Sequence, residues 1–145
     1  MITNILLAVD GSEESLGAAR VAGRLAAATG ATVRLLTVHD APGLLRGEPE
    51  YSGKLHEALA EADAHLASAA AVIVEVDGPE PTRDRTTGSP AEEILAAART
   101  GGHDLVVLGN RGRGRIAGAL LGSVSTAVAS RANIPVMIVP HHAAG

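Results

Sequence analysis

Short, unbroken apolar runs alternate along this chain with stretches of helical composition, and that alternation limits the fold more than any other feature. ITNILLAV (residues 2–9), ATVRLLTVH (31–39), DLVVLG (104–109) and IPVMIVP (134–140) are short, rich in Val, Leu and Ile, and bounded by turn residues. Strands that are apolar along their length are buried on both faces, as in parallel sheets whose crossovers are helices. The helical stretches fall between them. Ser12 precedes Glu13 and Glu14 as an N-cap with acids in the first turn, and residues 16–30 continue helically until Gly30 stops them. Residues 40–50 read as loop. From Tyr51, Leu55, Leu59, Ala62, Leu66, Ala69 and Ile73 recur at helical spacing. Ser89 as N-cap, Pro90 at the first helical position and Glu92 and Glu93 behind it open a helix over 89–98, and residues 122–133 form the last one. The expectation is a single α/β domain over residues 1–145, a doubly wound parallel sheet covered on both faces.

The third strand has two candidates. VIVEV (72–76) has strand propensity but equally suits the end of the long helix, with Gly78 and Pro79 terminating it. PTRDRTT (81–87) is polar and alternating, as an exposed edge strand would be. We assign the strand to the second.

Composition removes several function classes. The chain has no cysteine, so disulfides, thiolate catalysis and cysteine zinc sites are out. The net charge of −4 and a single aromatic residue, Tyr51, argue against nucleic acid, whose single strands need aromatic stacking platforms. A bound base would have to rest on aliphatic side chains. The N-terminus reads as a strand rather than a signal peptide, and no apolar stretch approaches the roughly 20 residues that span a bilayer. A cytoplasmic protein without a membrane partner is expected.

The chemistry concentrates after the strand at 104–109, in LGNRGRGRIAGALLGSVS (108–125). Glycines let backbone N–H groups approach an anion, and the helix N-terminus at Gly122-Ser123-Val124-Ser125 adds partial positive charge. Arg111, Arg113 and Arg115 offer further charge; the competing reading is a surface turn with solvated arginines. The spacing does not make a P-loop, because no lysine precedes Ser123 and the only one in the chain is Lys54. Gly112-Arg-Gly114-Arg-Ile-Ala117 matches the dinucleotide fingerprint in form, but it lies several residues before its helix and no acidic residue follows at the required distance.

Gly109-x2-Gly112-x9-Gly122-Ser123, together with LLAVDGSEES at the front, TVHD after the second strand and GSPAEEIL in the middle, resembles the universal stress protein family over nearly the whole chain. The resemblance implies the adenine nucleotide alpha hydrolase-like fold, a five-stranded parallel sheet in the order 3-2-1-4-5 with helices on both faces. It also implies the ATP-binding subgroup, which carries this glycine spacing. On that basis Asp10 contacts the ribose, and Ala8, Val9 and Val38 line the adenine pocket with Leu108 beside them. Gly109 and Gly112 let the chain pass close to ribose and phosphates. Gly122, Ser123, Val124 and Ser125 hold the phosphates, with Arg111 as a further phosphate partner. The implied ligand is ATP, with Mg2+ as an optional counter-ion, and the implied partner is a second copy docked through the last strand, residues 135–140. Departures from the family pattern lie in 72–87 and in the arginine-rich 111–115.

Other readings stay beside these. Asp10-Gly11 is also a plain strand-ending turn. Glu92 and Glu93 read as first-turn helix residues, His39 and Asp40 as a polar strand end, and His141 and His142 as tail. Ser123 and Ser125 have no evident His–Asp partners for nucleophilic hydrolysis. One carboxylate, Asp10, is a poor set for phosphoryl transfer, which favours a nucleotide-dependent regulatory or stress-response module over a dedicated enzyme, with slow ATP hydrolysis as an alternative. A receiver-type domain would need a lysine after the last strand, where Pro140-His141 stands. A dimeric scaffold of the same fold that binds no nucleotide is the remaining alternative.

Overall fold

The chain threads β1 (Asn4–Ala8), α1 (Glu13–Thr29), β2 (Thr32–His39), α2 (Tyr51–Glu75), β3 (Thr82–Thr87), α3 (Pro90–Thr100), β4 (Leu105–Gly109), α4 (Ser123–Arg131) and β5 (Val136–Val139). This computed structural model describes residues 1–39, 47–110 and 122–140. All strand pairings are parallel, in the order β3-β2-β1-β4-β5. β1 is central, and the winding reverses between β1 and β4, which places a crevice beyond their carboxyl ends.

Strand alternation divides the apolar side chains into two cores. Ile5, Leu7, Val33, Leu35, Leu105 and Val107 meet α1 and α2, while Leu6, Leu36, Val106 and Leu108 meet α3 and α4. In place of aromatic bulk, α1 brings Ala18, Ala19, Ala22 and Ala26 against the first face, all nearly inaccessible. With so little side chain between them, α1 and α2 come close: a Cβ on Gly23 would lie 3.1 Å from the Ile73 Cα. Ser12 caps α1 as expected, its Oγ accepting the Ser15 N–H at 3.2 Å, and Gly30 ends it with φ at +76°.

Residues 72–75 belong to α2, and Val76 is its C-cap. Burial overrides their strand propensity, because Ile73 is fully inaccessible and continues the stripe of Ala62, Leu66, Ala69 and Ala70. The helix ends where Asp77 turns to φ +64° and the Gly78 N–H returns to the Ile73 carbonyl at 2.9 Å. The edge strand is β3, as its polar alternation predicts, pairing with β2 from Arg34↔Thr82 to His39↔Thr87. Its charges are paired across the sheet and to α2, Arg34 Nε with Asp84 at 2.5 Å and Arg85 with Asp63 at 2.7 Å.

Three expectations need adjustment. Ser89 has the extended backbone of an N-cap, but its side chain caps nothing; Pro90 at the first helical position already removes one donor from α3. The last helix is Ser123–Arg131 rather than 122–133, and the last strand is Val136–Val139 rather than 134–140.

Candidate functional site

Ala8 ends β1, Val38 lies next to the end of β2, and Leu108 is next to the end of β4, all on the α3/α4 side of the sheet. They are joined there by Val124 from the first turn of α4, so four residues expected to bind one ligand share one apolar wall. Ala8, Val38 and Val124 are only partly buried and form its accessible rim, whereas Leu108 is nearly covered.

Val9 departs from this set. Alternation turns its side chain into the α1/α2 core, where it is 4% exposed, on the face opposite Ala8 and Val38. Its N–H is committed to the Leu36 carbonyl at 2.9 Å. Only the Val9 carbonyl is left to face a ligand.

Asp10 follows at the end of β1. Its Oδ1 accepts the Ser12 N–H at 2.9 Å and its own N–H donates to Ser15 Oγ at 3.3 Å, which makes the local turn that starts α1. Gly11 completes the turn at φ +84°, a conformation few other residues adopt, and a Cβ there would overlap the His65 imidazole of α2. His65 thus roofs the turn, a contact that nothing in the spacing of α2 announces beyond the neighbouring Leu66 on its buried stripe.

Gly109 has a packing reason of its own. A Cβ would stand 2.8 Å from the Glu14 Cβ and 2.9 Å from the Glu14 carbonyl carbon, so the bare glycine lets β4 pass the first turn of α1.

At the start of α4, the Asn110 carbonyl accepts the Gly122 N–H at 2.6 Å and the Ser125 hydroxyl at 2.7 Å. Ser125 is buried and also lies 3.1 Å from the Gly122 carbonyl. The Ser125 hydroxyl and the Gly122 N–H thus tie Asn110, just after β4, to the start of α4. Ser123 remains exposed. Gly122 at the N-cap has no side chain to offer, so the N–H groups of Ser123, Val124 and Ser125 have no acceptor among the described residues. They present three backbone donors and a helix dipole beside the apolar wall. Arg111 and Gly112 lie outside the described residues, as do Arg113, Arg115, Asp40, His141 and His142.

The two first-turn glutamates of α3 diverge. Glu92 receives both guanidinium nitrogens of Arg131, at 2.6 and 3.1 Å, and that hydrogen-bonded cation holds its pKa below the usual carboxylate range. Glu93 turns toward β3, where its Oε1 accepts the Thr86 hydroxyl at 2.9 Å. Among the described residues no helix is long and apolar enough to cross a membrane, and no group of three His, Cys, Asp or Glu side chains is placed to hold a metal ion.

This arrangement is matched by known proteins. The model of the universal stress protein family matches residues 1–140. A curated relative from Thermus aquaticus, named universal stress protein in QAH/OAS sulfhydrylase 3′ region, is 40% identical over 142 residues, covering 96% of this chain and 99% of the relative. A universal stress protein solved in complex with cAMP superposes with a TM-score of 0.77 at 28% identity, over 95% of this chain and 97% of that one. Another, from Archaeoglobus fulgidus in complex with dAMP, superposes with a TM-score of 0.69 at 25% identity, over 96% of this chain and 98% of that one. With the sheet order and the family match over residues 1–140 in agreement, this chain belongs to the universal stress protein family.

Proposed function

We propose that this chain is a nucleotide-dependent regulatory module of the stress response that binds ATP at the β1/β4 crevice, with at most slow hydrolysis. One observation carries the reading. The aliphatic wall of Ala8, Val38, Leu108 and Val124 lies directly beside the uncapped first turn of α4. An apolar surface for a base and backbone donors for phosphates therefore meet at the point where the winding reverses. Asp10 stands at the same edge for the ribose. The cAMP and dAMP complexes of relatives support an adenine nucleotide, and the Gly109-x2-Gly112-x9-Gly122-Ser123 spacing supports a phosphate chain long enough to use the loop. Mg2+ would enter as the counter-ion of the nucleotide. A regulatory role is favoured because the residues that the family resemblance assigns to the ligand include one carboxylate, Asp10, a poor set for in-line phosphoryl transfer.

The dimer implied by the last strand belongs to the same reading. β5 is an edge, and Val136, Met137 and Ile138 are only partly buried on it, which suits pairing with a second copy. Sedimentation at micromolar concentration should give a dimer; a monomer alone overturns that half of the proposal.

The test of binding is calorimetric titration of nucleotide-free protein with MgATP, beside a Gly122→Val variant. A side chain at Gly122 obstructs the approach of an anion to the start of α4 and should cost at least about ten-fold in affinity while the variant stays folded. Absence of binding by the folded, nucleotide-free parent would return the chain to the scaffold reading. Turnover typical of a dedicated ATPase would overturn the regulatory one.

A further inference from the structure

The turn from β1 into α1 is tied within itself. Ser12 N–H donates to Asp10 Oδ1 at 2.9 Å, Asp10 N–H to Ser15 Oγ at 3.3 Å and Ser15 N–H to Ser12 Oγ at 3.2 Å, while the Ser15 hydroxyl donates to the Ser12 carbonyl at 3.0 Å. Bonds confined to six residues fix the shape of a turn. Contacts from elsewhere in the fold fix where it stands, and His65 of α2 makes one of them.

The contact is close. A Cβ on Gly11 would lie 2.4 Å from His65 Nε2, 2.5 Å from Cδ2 and 3.0 Å from Cε1, so the edge of the imidazole rests directly on the Gly11 backbone. A flat ring fits over a bare backbone where a branched side chain would not. The ring is itself steadied. His65 is partly buried beside Leu66 on the packed side of α2, and its Nε2 stands 3.7 Å from Glu61 Oε1, one turn earlier on the helix. Its direction of approach matters too. Ala62, Leu66 and Ala69 of α2 pack in the α1/α2 core, whereas Ala8, Val38 and Leu108 form the wall on the α3/α4 side. His65 therefore reaches the Asp10–Gly11 turn from behind, with the turn between it and that wall.

We infer that His65 is a positioning residue for nucleotide binding: packed on Gly11, it holds the turn so that the Asp10 carboxylate stands where the ribose hydroxyls meet it. The inference rests on the nucleotide-binding reading above. His65 does not touch the ligand and acts only through the turn. Without the imidazole the turn keeps its internal bonds but gains room to shift, and binding then has to order it. A hydroxyl–carboxylate hydrogen bond is short and directional, so it is lost to small displacements that apolar contact with the base tolerates. The phosphate donors at the start of α4 belong to another element. Removing His65 should therefore weaken recognition of the ribose selectively.

The test compares AMP with 2′,3′-dideoxyadenosine 5′-monophosphate, which lacks both ribose hydroxyls, by calorimetry on the parent, Asp10→Ala and His65→Ala. Effects on base or phosphate binding are common to both ligands and cancel in their ratio. The parent should favour AMP by about ten-fold, and Asp10→Ala should bring the ratio to within about two-fold of unity. His65→Ala should lower the ratio by at least about three-fold while its affinity for the dideoxy compound stays within about two-fold of the parent's. A folded His65→Ala that keeps the ratio, or that loses affinity for both ligands in equal proportion, overturns the inference and leaves nucleotide binding standing. A parent that binds both ligands equally overturns the ribose contact of Asp10 and this inference with it. A parent that binds neither overturns the nucleotide reading itself. If His65→Ala does not fold, the ring nitrogen resonances of His65 in the parent decide. They should move on saturation with AMP and less than half as far with the dideoxy compound, and resonances that AMP leaves in place overturn the inference.

Discussion

The two ends of the sheet are built to different rules. At the amino ends of the strands, polar groups are tied to one another across three strands. Asp104 accepts the Thr3 N–H at 2.8 Å, the Thr3 hydroxyl at 2.9 Å and the Asn4 N–H at 3.1 Å. The Asn4 side chain accepts from the Thr32 hydroxyl at 3.2 Å and reaches the Gly101 and Gly102 carbonyls at 3.4 Å. At the carboxyl ends, by contrast, α4 starts uncapped and one Glu93 oxygen accepts no hydrogen bond among the described residues. One end closes the fold; the other keeps donors and acceptors for something else. Substitutions should therefore separate into those that change stability and those that change binding.

Gly109 is the position most able to break that division, because it sits at the binding end yet is explained by packing. Gly109→Val would drive a branched side chain into the Glu14 backbone, 2.9 Å from where its Cβ alone would stand. Overpacking of this kind costs about 1–3 kcal/mol or more, and we expect the largest loss of stability of any substitution discussed, read as the midpoint of urea denaturation. A variant as stable as the parent but unable to bind nucleotide would mean that the glycine serves the ligand alone.

Asp104→Ala sharpens the division from the other end. It leaves the Thr3 and Asn4 donors without their acceptor, so melting temperature should fall while AMP affinity stays within about two-fold, as expected for sites with no shared partners. The backbone N–H of Thr3 is the leading reason the Asp104 carboxyl titrates below its ordinary value. With the folded pKa depressed, the contribution of Asp104 is present above the unfolded value near pH 4 and is lost as pH falls through the folded one. The stability difference between parent and variant should narrow in acid over that window. A change in AMP affinity as large as that of Gly122→Val would show that the two ends are coupled.

The same division governs what the sequence made legible. The parallel α/β class, the polar edge strand and the long second helix follow from runs, alternation and the i, i+3, i+4 stripe, because those patterns record which side of an element is wet, whereas the strand order is what the family resemblance implies. Ala8, Val38 and Leu108 could be brought together from strand ends alone, since parallel neighbours in register end at one edge. What stayed hidden depends on partners distant in sequence. Val9 looks as eligible as Ala8 until strand parity assigns them to opposite cores. The bond from the Ser125 hydroxyl to the Asn110 carbonyl, 15 residues away, is announced by nothing in the spacing. Glu92 and Glu93 are alike as first-turn acids, and only Arg131, 39 residues on, and Thr86, seven residues back, divide them into an ion pair and an open acceptor.

The smallest expected effect lies at the closed end and concerns His103, which is 6% exposed at the turn into β4. Its Nδ1 lies 3.2 Å from the Ala97 carbonyl, which can only accept, so the proton sits on Nδ1. Burial is the main reason its pKa lies below the usual imidazole value, with the nearby Arg34 guanidinium acting in the same direction and the Ala97 carbonyl and Asp104 opposing. The unfolded chain therefore takes up a proton at a higher pH than the folded one. Below about pH 7 the unfolded state binds more protons until the folded imidazole is protonated as well, so His103 makes stability decline as pH falls through the unfolded value near 6.5; above that range it contributes no pH dependence. His103→Gln should flatten this part of the profile of melting temperature against pH, and it should do so without altering AMP affinity at pH 7.5. Equal slopes in parent and variant would mean that the imidazole is solvated enough to titrate normally, and the closed end would then be less dry than its hydrogen bonds imply.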